Sequence, residues 1–263
     1  MRNLFNHLDK VRQVIASRPF GLVTDVDGTI SRIAPSPEEA IVSPLCRKYL
    51  SALVDRLDLV AVISGRPLTE VMGMVGVEGL VYVGNHGLEM WNRGAPEKWQ
   101  GSERYVDTIT SAVSAIKNML DVDGLYFENK GLTASIHYRN CTDIISVRSR
   151  ILAAVGSLSQ ASDLRISNGK MVVELRPKLK ADKGSALNTL IEKYRLSGAI
   201  YIGDDVTDVD AFEALQGSGT KGIAIGVVSD ETPPQLYKAA DYTINGVEQV
   251  EQLLGQLVDL TAD

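Results

Sequence analysis

Histidine and cysteine are scarce in this chain, three and two residues among 263, and their placement removes whole classes of chemistry. Cys46 and Cys141 stand far apart, without CxxC spacing or a histidine neighbour, so neither a zinc site nor a disulfide framework is expected. Two free thiols in a reducing compartment fit better. His86 and His137 have no second His or Cys at ligand spacing, which points to packing or a hydrogen bond rather than metal binding. No apolar run approaches the roughly 20 residues that span a bilayer. The first residues, "MRNLFNHLDKVRQVIASRPF", scatter charge where a secretory leader would carry an apolar core, so a cytoplasmic protein is expected. Low-complexity tracts and repeats are also missing, which argues against disorder and solenoids. Positive charge is in deficit, with 27 Lys and Arg against 33 Asp and Glu. Such a balance disfavours nucleic acid or an anionic membrane as partner, so any phosphate must meet locally arranged cations. No feature fixes the oligomeric state; a monomer is the expectation.

What is present is a regular alternation. Short apolar runs bounded by turn residues, "GLVTD" (Gly21 to Asp25), "LVAVIS" (Leu59 to Ser64), "LVYVG" (Leu80 to Gly84), "AIYIGD" (Ala199 to Asp204) and "GIAIG" (Gly222 to Gly226), predict buried parallel strands. Between them lie helical patterns: Leu45, Tyr49, Ala52, Leu53 and Arg56 on one face, a helix opened by Pro67, and helices over Lys183 to Tyr194 and Thr207 to Leu215. Leu4, Leu8, Val11 and Ile15 suggest a packing helix ahead of the first strand. The class is α/β, an open doubly wound sheet. The middle differs. Helical spacing at Val106, Ile109, Val113, Ile116 and Leu120, and again at Ile144, Val147, Ile151, Val155 and Leu158, is each time followed by a hairpin, with turns at Asn129 to Gly131 and at Asn168-Gly169. This predicts an α-β-β-α-β-β module, residues 102–177, inserted into a discontinuous core of residues 1–101 and 178–263.

In open α/β sheets ligands bind beyond the carboxyl ends of the strands. There stand Asp25 and Asp27 of "TDVDGTI", Ser64 to Arg66 of "SGR", and Asp204 of "GDDVTD", while Lys183-Gly184 opens a helix. Carboxylates from two strands, a hydroxyl and a lysine form an inventory for holding Mg²⁺ and a phosphoryl group. Asp25, Asp204 and the Asp27 backbone carbonyl are oxygen donors of the kind Mg²⁺ prefers. Lys183, the Ser64 hydroxyl and nearby N–H groups could offset the repulsion between an attacking carboxylate and a phosphate dianion. Asp27, beside another carboxylate, could pass a proton to a leaving alkoxide. Taken singly, each residue also has a plain structural reading: a turn for Asp27-Gly28, a helix cap for Ser64, a solvated helix start for Lys183. Their joint order favours chemistry. "GSGTKG" (Gly217 to Gly222) fits GxGxxG but runs from helix to strand, the reverse of a dinucleotide fingerprint, and reads as a connecting loop.

"DVDGT", "SGR", "KG" and "GDD", in this order, resemble the four motifs of the haloacid dehalogenase-like phosphatases, and the inserted module resembles their α-β-β-α-β-β cap. "GNHGLE", "ENKGLTASIHYRN", "GKMVVELRP" and "GDDVTDVDAF" are similar to trehalose-6-phosphate phosphatases. The resemblance implies Asp25 as nucleophile, Asp27 as general acid and then base, and Ser64 and Lys183 as holders of the phosphoryl group. Thr29, Gly65 and Arg66 would line the same phosphoryl site. It implies Mg²⁺ at Asp25, the Asp27 backbone carbonyl and Asp204, with Asp205 and Asp208 behind them or on a metal-bound water; which of Asp204, Asp205 and Asp208 touches the metal is left open. In the cap, Glu128, Lys130, Arg139, Asn140, Lys170 and Glu174 would meet sugar hydroxyls, which suits charged hydrogen-bonding side chains. The implied substrate is a small sugar phosphate. A mannosyl-phosphoglycerate or sucrose phosphatase, or a hexose phosphomutase, would share the core motifs. A phospho-accepting receiver domain has no room for the cap, and a silent sugar-phosphate sensor would not need every motif residue.

Overall fold

Alternate side chains along each central strand leave to opposite faces, and this period of two organises the larger part of the molecule. The computed structural model describes residues 2–169 and 171–262. Along the chain, α1 (Leu8–Ile15) leads into β1 (Phe20–Thr24), α2 (Pro44–Val54), β2 (Leu59–Ile63), α3 (Leu68–Val75), β3 (Val81–Gly84), β4 (Glu89–Asn92) and β5 (Ala95–Lys98). Then come α4 (Tyr105–Met119), β6 (Tyr126–Asn129), β7 (Ala134–His137), α5 (Ile144–Gly156), β8 (Leu164–Gly169) and β9 (Val172–Pro177). The chain closes with α6 (Lys183–Tyr194), β10 (Gly198–Gly203), α7 (Val206–Gly217), β11 (Lys221–Val228), α8 (Pro234–Ala239), β12 (Tyr242–Asn245) and α9 (Gly246–Leu260).

Two units result, one of Met1–Glu97 with Ala181–Asp263 and one of Lys98–Lys180, the latter slightly longer at both ends than the expected 102–177. In the first, the sheet order is β12-β11-β10-β1-β2-β3-β4-β5. The pairs from β12 through β3 are parallel, while β4 turns back antiparallel on β3. Phe20, Leu22, Val60, Val62, Ile200 and Ile202 point to one face, where residues of α1, α2, α3 and α9 cover them. Val23, Ala61, Ile63, Ala199 and Tyr201 point to the other, under α6, α7 and α8. Burial on both faces explains why β1 and β2 are apolar without a break.

Register aligns the chemical ends. Thr24 of β1 lies opposite Ile202 of β10 and Val62 of β2, so the residues that follow these strands emerge along one edge of the sheet.

The second unit has its own core. Its sheet order is β6-β7-β9-β8, all antiparallel. Ala134, Ile136, Val173 and Leu175 pack on Ile109, Ile116, Val147 and Ile151 of α4 and α5.

Three expectations shift. The buried face of α2 is Cys46, Leu50 and Leu53, while Leu45 is exposed, because the Ser43 hydroxyl accepts from the N–H groups of Leu45 and Cys46 and so sets where the helix starts. Val106 and Ile144 likewise lie on the outer sides of α4 and α5. Asn168 and Gly169 do not form the second hairpin turn: they end β8, paired with Val173 and Val172, and Met171 beyond them takes a positive φ of 59°. Finally, Gly217 closes α7 and β11 starts at Lys221, so "GSGTKG" is indeed a helix-to-strand connection.

Candidate active site

Asp25 follows β1 directly, and its N–H donates to the Ile202 carbonyl of β10 at 2.8 Å, which ties the turn to the neighbouring strand. Gly28 makes the turn possible. It has φ 84°, and a Cβ there would lie 2.0 Å from Asp204 Oδ2, so the loop can approach that carboxylate only as glycine. Lys183 is the first residue of α6, held there by the Asp182–Ser185 capping box. Its Nζ donates to Asp25 Oδ1 at 2.7 Å and to Asp208 Oδ1 at 2.6 Å.

Asp208 has no exposed surface. Besides Lys183 it accepts from the Tyr201 hydroxyl at 2.8 Å and from the N–H groups of Asp204 and Asp205 at 3.1 and 3.0 Å. These bonds make Asp208 the hub that fixes Lys183 and the loop after β10. Carboxylate oxygens of Asp25, Asp204 and Asp208, all three buried, lie within 4.8 Å of one another. Asp208 therefore stands in the acidic cluster itself, while the Asp27 carboxylate turns to Arg66.

The electrostatics follow from burial. Burial pushes the Asp25 carboxyl well above the usual carboxylate range; the Lys183 ammonium pulls it down, and Asp208 and Asp204 push it up again. For Lys183 burial opposes the charge, but attraction to Asp208 and Asp25 outweighs it and raises the ammonium above an ordinary lysine. Burial, together with the Asp208 and Asp25 carboxylates, keeps the Tyr201 hydroxyl protonated well past its usual range. Two of the three clustered acids, Asp25 and Asp208, meet the Lys183 ammonium, and all three offer oxygen ligands. That set suits a hard divalent cation.

The Ser64 loop approaches from β2. Ser64 is buried, and its hydroxyl accepts from the Arg66 N–H at 3.1 Å. The backbone after β3 braces it, with His86 N–H donating to the Ser64 carbonyl at 2.9 Å and Asn85 N–H to the Arg66 carbonyl at 2.7 Å. Asn85 and His86 are buried with φ of 47° and 55°, a strained conformation for residues other than glycine. The His86 ring sits where a Cβ on Gly65 would be, 2.5 Å away. Thr29 Oγ1 is buried and has no hydrogen-bond partner among the described residues.

Arg66 departs from expectation. Its guanidinium does not lie open for a phosphoryl group: Nε and Nη2 donate to Asp27 Oδ2 and Oδ1 at 2.7 and 2.8 Å, Nη2 also to the Pro37 carbonyl at 3.0 Å, and Nη1 to Glu70. Glu70 stands one helical turn on in α3, which brings it to Arg66.

In the second unit, register puts Glu128 opposite Ser135, and Ser135 and Ser167 opposite Glu174, so these four share one sheet face. Glu174 accepts from Arg176 Nη2 at 2.8 Å and from Ser167 Oγ at 3.3 Å. Glu128 pairs with His137 Nε2 at 3.0 Å and with Lys130 Nζ at 3.6 Å. Arg139 and exposed Asn140 lie in the turn after β7, beyond this face. Lys170 lies outside the described residues. His137 makes a hydrogen bond, as expected, with Glu128. The sequence singles out none of Tyr201, Glu70 and Arg176; the alternation within β9 is the signal available for Arg176, and nothing local marks Tyr201 or Glu70.

A family model described as "Trehalose-phosphatase" matches residues 23–248. The chain is 34% identical to a trehalose-phosphate phosphatase of Mycobacterium avium, aligned over 92% of this chain and 64% of that protein, so it spans less than two thirds of the length of that relative. It is 30% identical to the probable trehalose-phosphate phosphatase 3 of rice, Oryza sativa, covering 90% of this chain and 68% of that one. Among solved structures, the C-terminal domain of the C. albicans trehalose-6-phosphate phosphatase superposes with a TM-score of 0.81 at 20% identity, covering 98% of both chains. A trehalose-6-phosphate phosphatase related protein superposes at 0.75 with 24% identity, covering 91% of this chain and 97% of that one. The fold is the haloacid dehalogenase-like core with an inserted α+β cap. By the extent of these matches, the chain belongs to the trehalose-phosphatase family.

Proposed function

We propose that this protein is a Mg²⁺-dependent phosphomonoesterase that hydrolyses trehalose 6-phosphate to trehalose and phosphate. The observation that carries the reading is the buried Asp25–Lys183–Asp208 chain beside Asp204, at the edge where β1 and β10 end. Asp25 attacks phosphorus, the bond from phosphorus to the sugar oxygen breaks, and an aspartyl-phosphate forms. Asp27 gives a proton to the departing sugar oxygen and then takes one from the water that cleaves the aspartyl-phosphate. Lys183 and the Ser64 hydroxyl hold phosphoryl oxygens, offsetting the repulsion between carboxylate and phosphate dianion.

Asp25, Asp204 and Asp208 would hold Mg²⁺, an assignment supported by their oxygen-only donor set and excess negative charge. When bound, the ion supplies positive charge that favours the ionised Asp25 and offsets the charge of the phosphate. The polar face with Glu128 and Glu174 supports disaccharide recognition in the cap, as do Lys130, Arg139, Asn140 and Lys170 by position in the motifs. An acidic chain acting on a small metabolite fits a cytoplasmic monomer, and no helix among the described residues is long and apolar enough to cross a membrane.

The test is phosphate release over a panel of trehalose, sucrose, mannosyl-glycerate and hexose phosphates, with and without Mg²⁺. Turnover of trehalose 6-phosphate is expected to dominate and to fall by at least about a thousandfold, a barrier change above ~4 kcal/mol, in Asp25→Asn. Preference for another panel member would reassign the substrate, and an active Asp25→Asn variant would reassign the nucleophile.

A further inference from the structure

Among the described residues Glu70 makes no hydrogen bond or ion pair to the acidic cluster, yet it shares a guanidinium with the acid–base residue. Arg66 is nearly buried, its side chain 9% exposed, and lies between Asp27 and Glu70, which are 33% and 37% exposed. Both oxygens of Asp27 accept from Arg66, and among the described residues the other acceptors of that side chain are Glu70 and the Pro37 carbonyl. A carboxylate gripped at both oxygens is well oriented, but each oxygen already holds an Arg66 donor, and an oxygen that carries a proton is a poor acceptor for it. For Asp27 to turn one oxygen to the leaving group, Arg66 must give up one of those bonds. A buried guanidinium does so at small cost only if another acceptor continues to hold it.

We infer that Glu70 is a positioning residue for the reaction. It anchors Arg66 from the far side, so that one Asp27 oxygen is freed while the other stays gripped and aimed. This rests on the role proposed above for Asp27. In the step concerned, the phosphorus–oxygen bond to the sugar breaks as the bond to Asp25 forms. The electron pair goes to the sugar oxygen, and the proton on Asp27 follows it. A 4-nitrophenolate leaving group departs as the anion and needs no such proton.

The experiment is single-turnover release of the leaving group from trehalose 6-phosphate and from 4-nitrophenyl phosphate, by wild type, Glu70→Ala, Glu70→Gln and Asp27→Asn. Glu70→Ala is expected to slow release of trehalose roughly tenfold, part of the hundredfold or more that acid catalysis supplies. It should change 4-nitrophenolate release less than about twofold, and Glu70→Gln, which keeps an acceptor for Arg66, should recover most of the loss. A similar loss on both substrates, or none on either, would overturn the inference, since a purely structural role does not distinguish leaving groups. Asp27→Asn serves as the reference. If it too fails to distinguish them, the acid–base role falls and Glu70 with it; if it does and Glu70→Ala does not, only the inference falls.

Discussion

Lys183 Nζ lies 2.7 Å from Asp25 Oδ1, and the two side chains are 3% and 6% exposed. Even with that ammonium in place, burial and the neighbouring carboxylates leave the Asp25 carboxyl raised well above 3.8. A carboxyl raised on folding contributes stability that is full below its unfolded value and is lost as pH rises through its folded value. Metal-free wild type is therefore expected to lose stability from about pH 4 upward on account of this group. Asp25→Asn removes the dependence. Its melting temperature in chelator at pH 7 to 8 should exceed that of wild type, each ~1 kcal/mol reading as about 2 to 4 °C. A lower value at neutral pH would contradict the raised Asp25.

Divalent metal should reverse the penalty. At one hundred times its dissociation constant, Mg²⁺ is expected to stabilise the fold by about 2.7 kcal/mol, and EDTA to abolish the gain. Asp204→Asn should lose most of this thermal shift. An unchanged shift in that variant would move the metal away from the acidic cluster.

Tyr201→Phe removes a single hydroxyl from a site without solvent. Asp208 loses one of its acceptor bonds, and a hydrogen bond to a charged group is worth about 1.5 to 3 kcal/mol. The variant should melt several degrees lower and turn over a few-fold more slowly, as Lys183 loses part of its orientation. Full activity with unchanged stability would show that the backbone N–H groups of Asp204 and Asp205 suffice.

Glu174→Gln tests the second unit. The amide keeps the shape but weakens the partnership with Arg176 and with the sugar hydroxyl proposed for this face. The kcat/KM for trehalose 6-phosphate should fall about tenfold to a hundredfold. That for 4-nitrophenyl phosphate should hardly change. Equal losses would assign Glu174 to the fold of the cap sheet.

Much of this architecture is legible because the central strands are buried on both faces and spell themselves out as apolar runs: β1, β2, β3, β10 and β11 all stand where such runs lie. The edges are not. β5, "APEK", is exposed at every residue and contains a proline, so it carries no burial pattern, and β12 is only four residues long. Asn168-Gly169 misleads because the register of β8 is fixed by its ladder to β9 and not by local turn preference. In the site, Asp25, Ser64, Lys183 and Asp204 are marked by their position at strand ends and helix starts. Arg66 is marked as a binding residue by its motif, but its partners Asp27 and Glu70 come from a distant loop and the next helical turn. Tyr201 reads as one more apolar strand residue until the fold brings Asp208 over it.

The insertion also has a consequence for synthesis. β1 ends at Thr24, but its partner β10 begins only at Gly198, after the whole cap has been made. During translation β1 therefore presents one bare edge, with unpaired N–H and C=O groups along an apolar strand, the form most open to pairing with another nascent chain. Any product that stops before residue 198 keeps that edge uncovered, and with it an Asp25 that has not met Lys183 on the finished sheet.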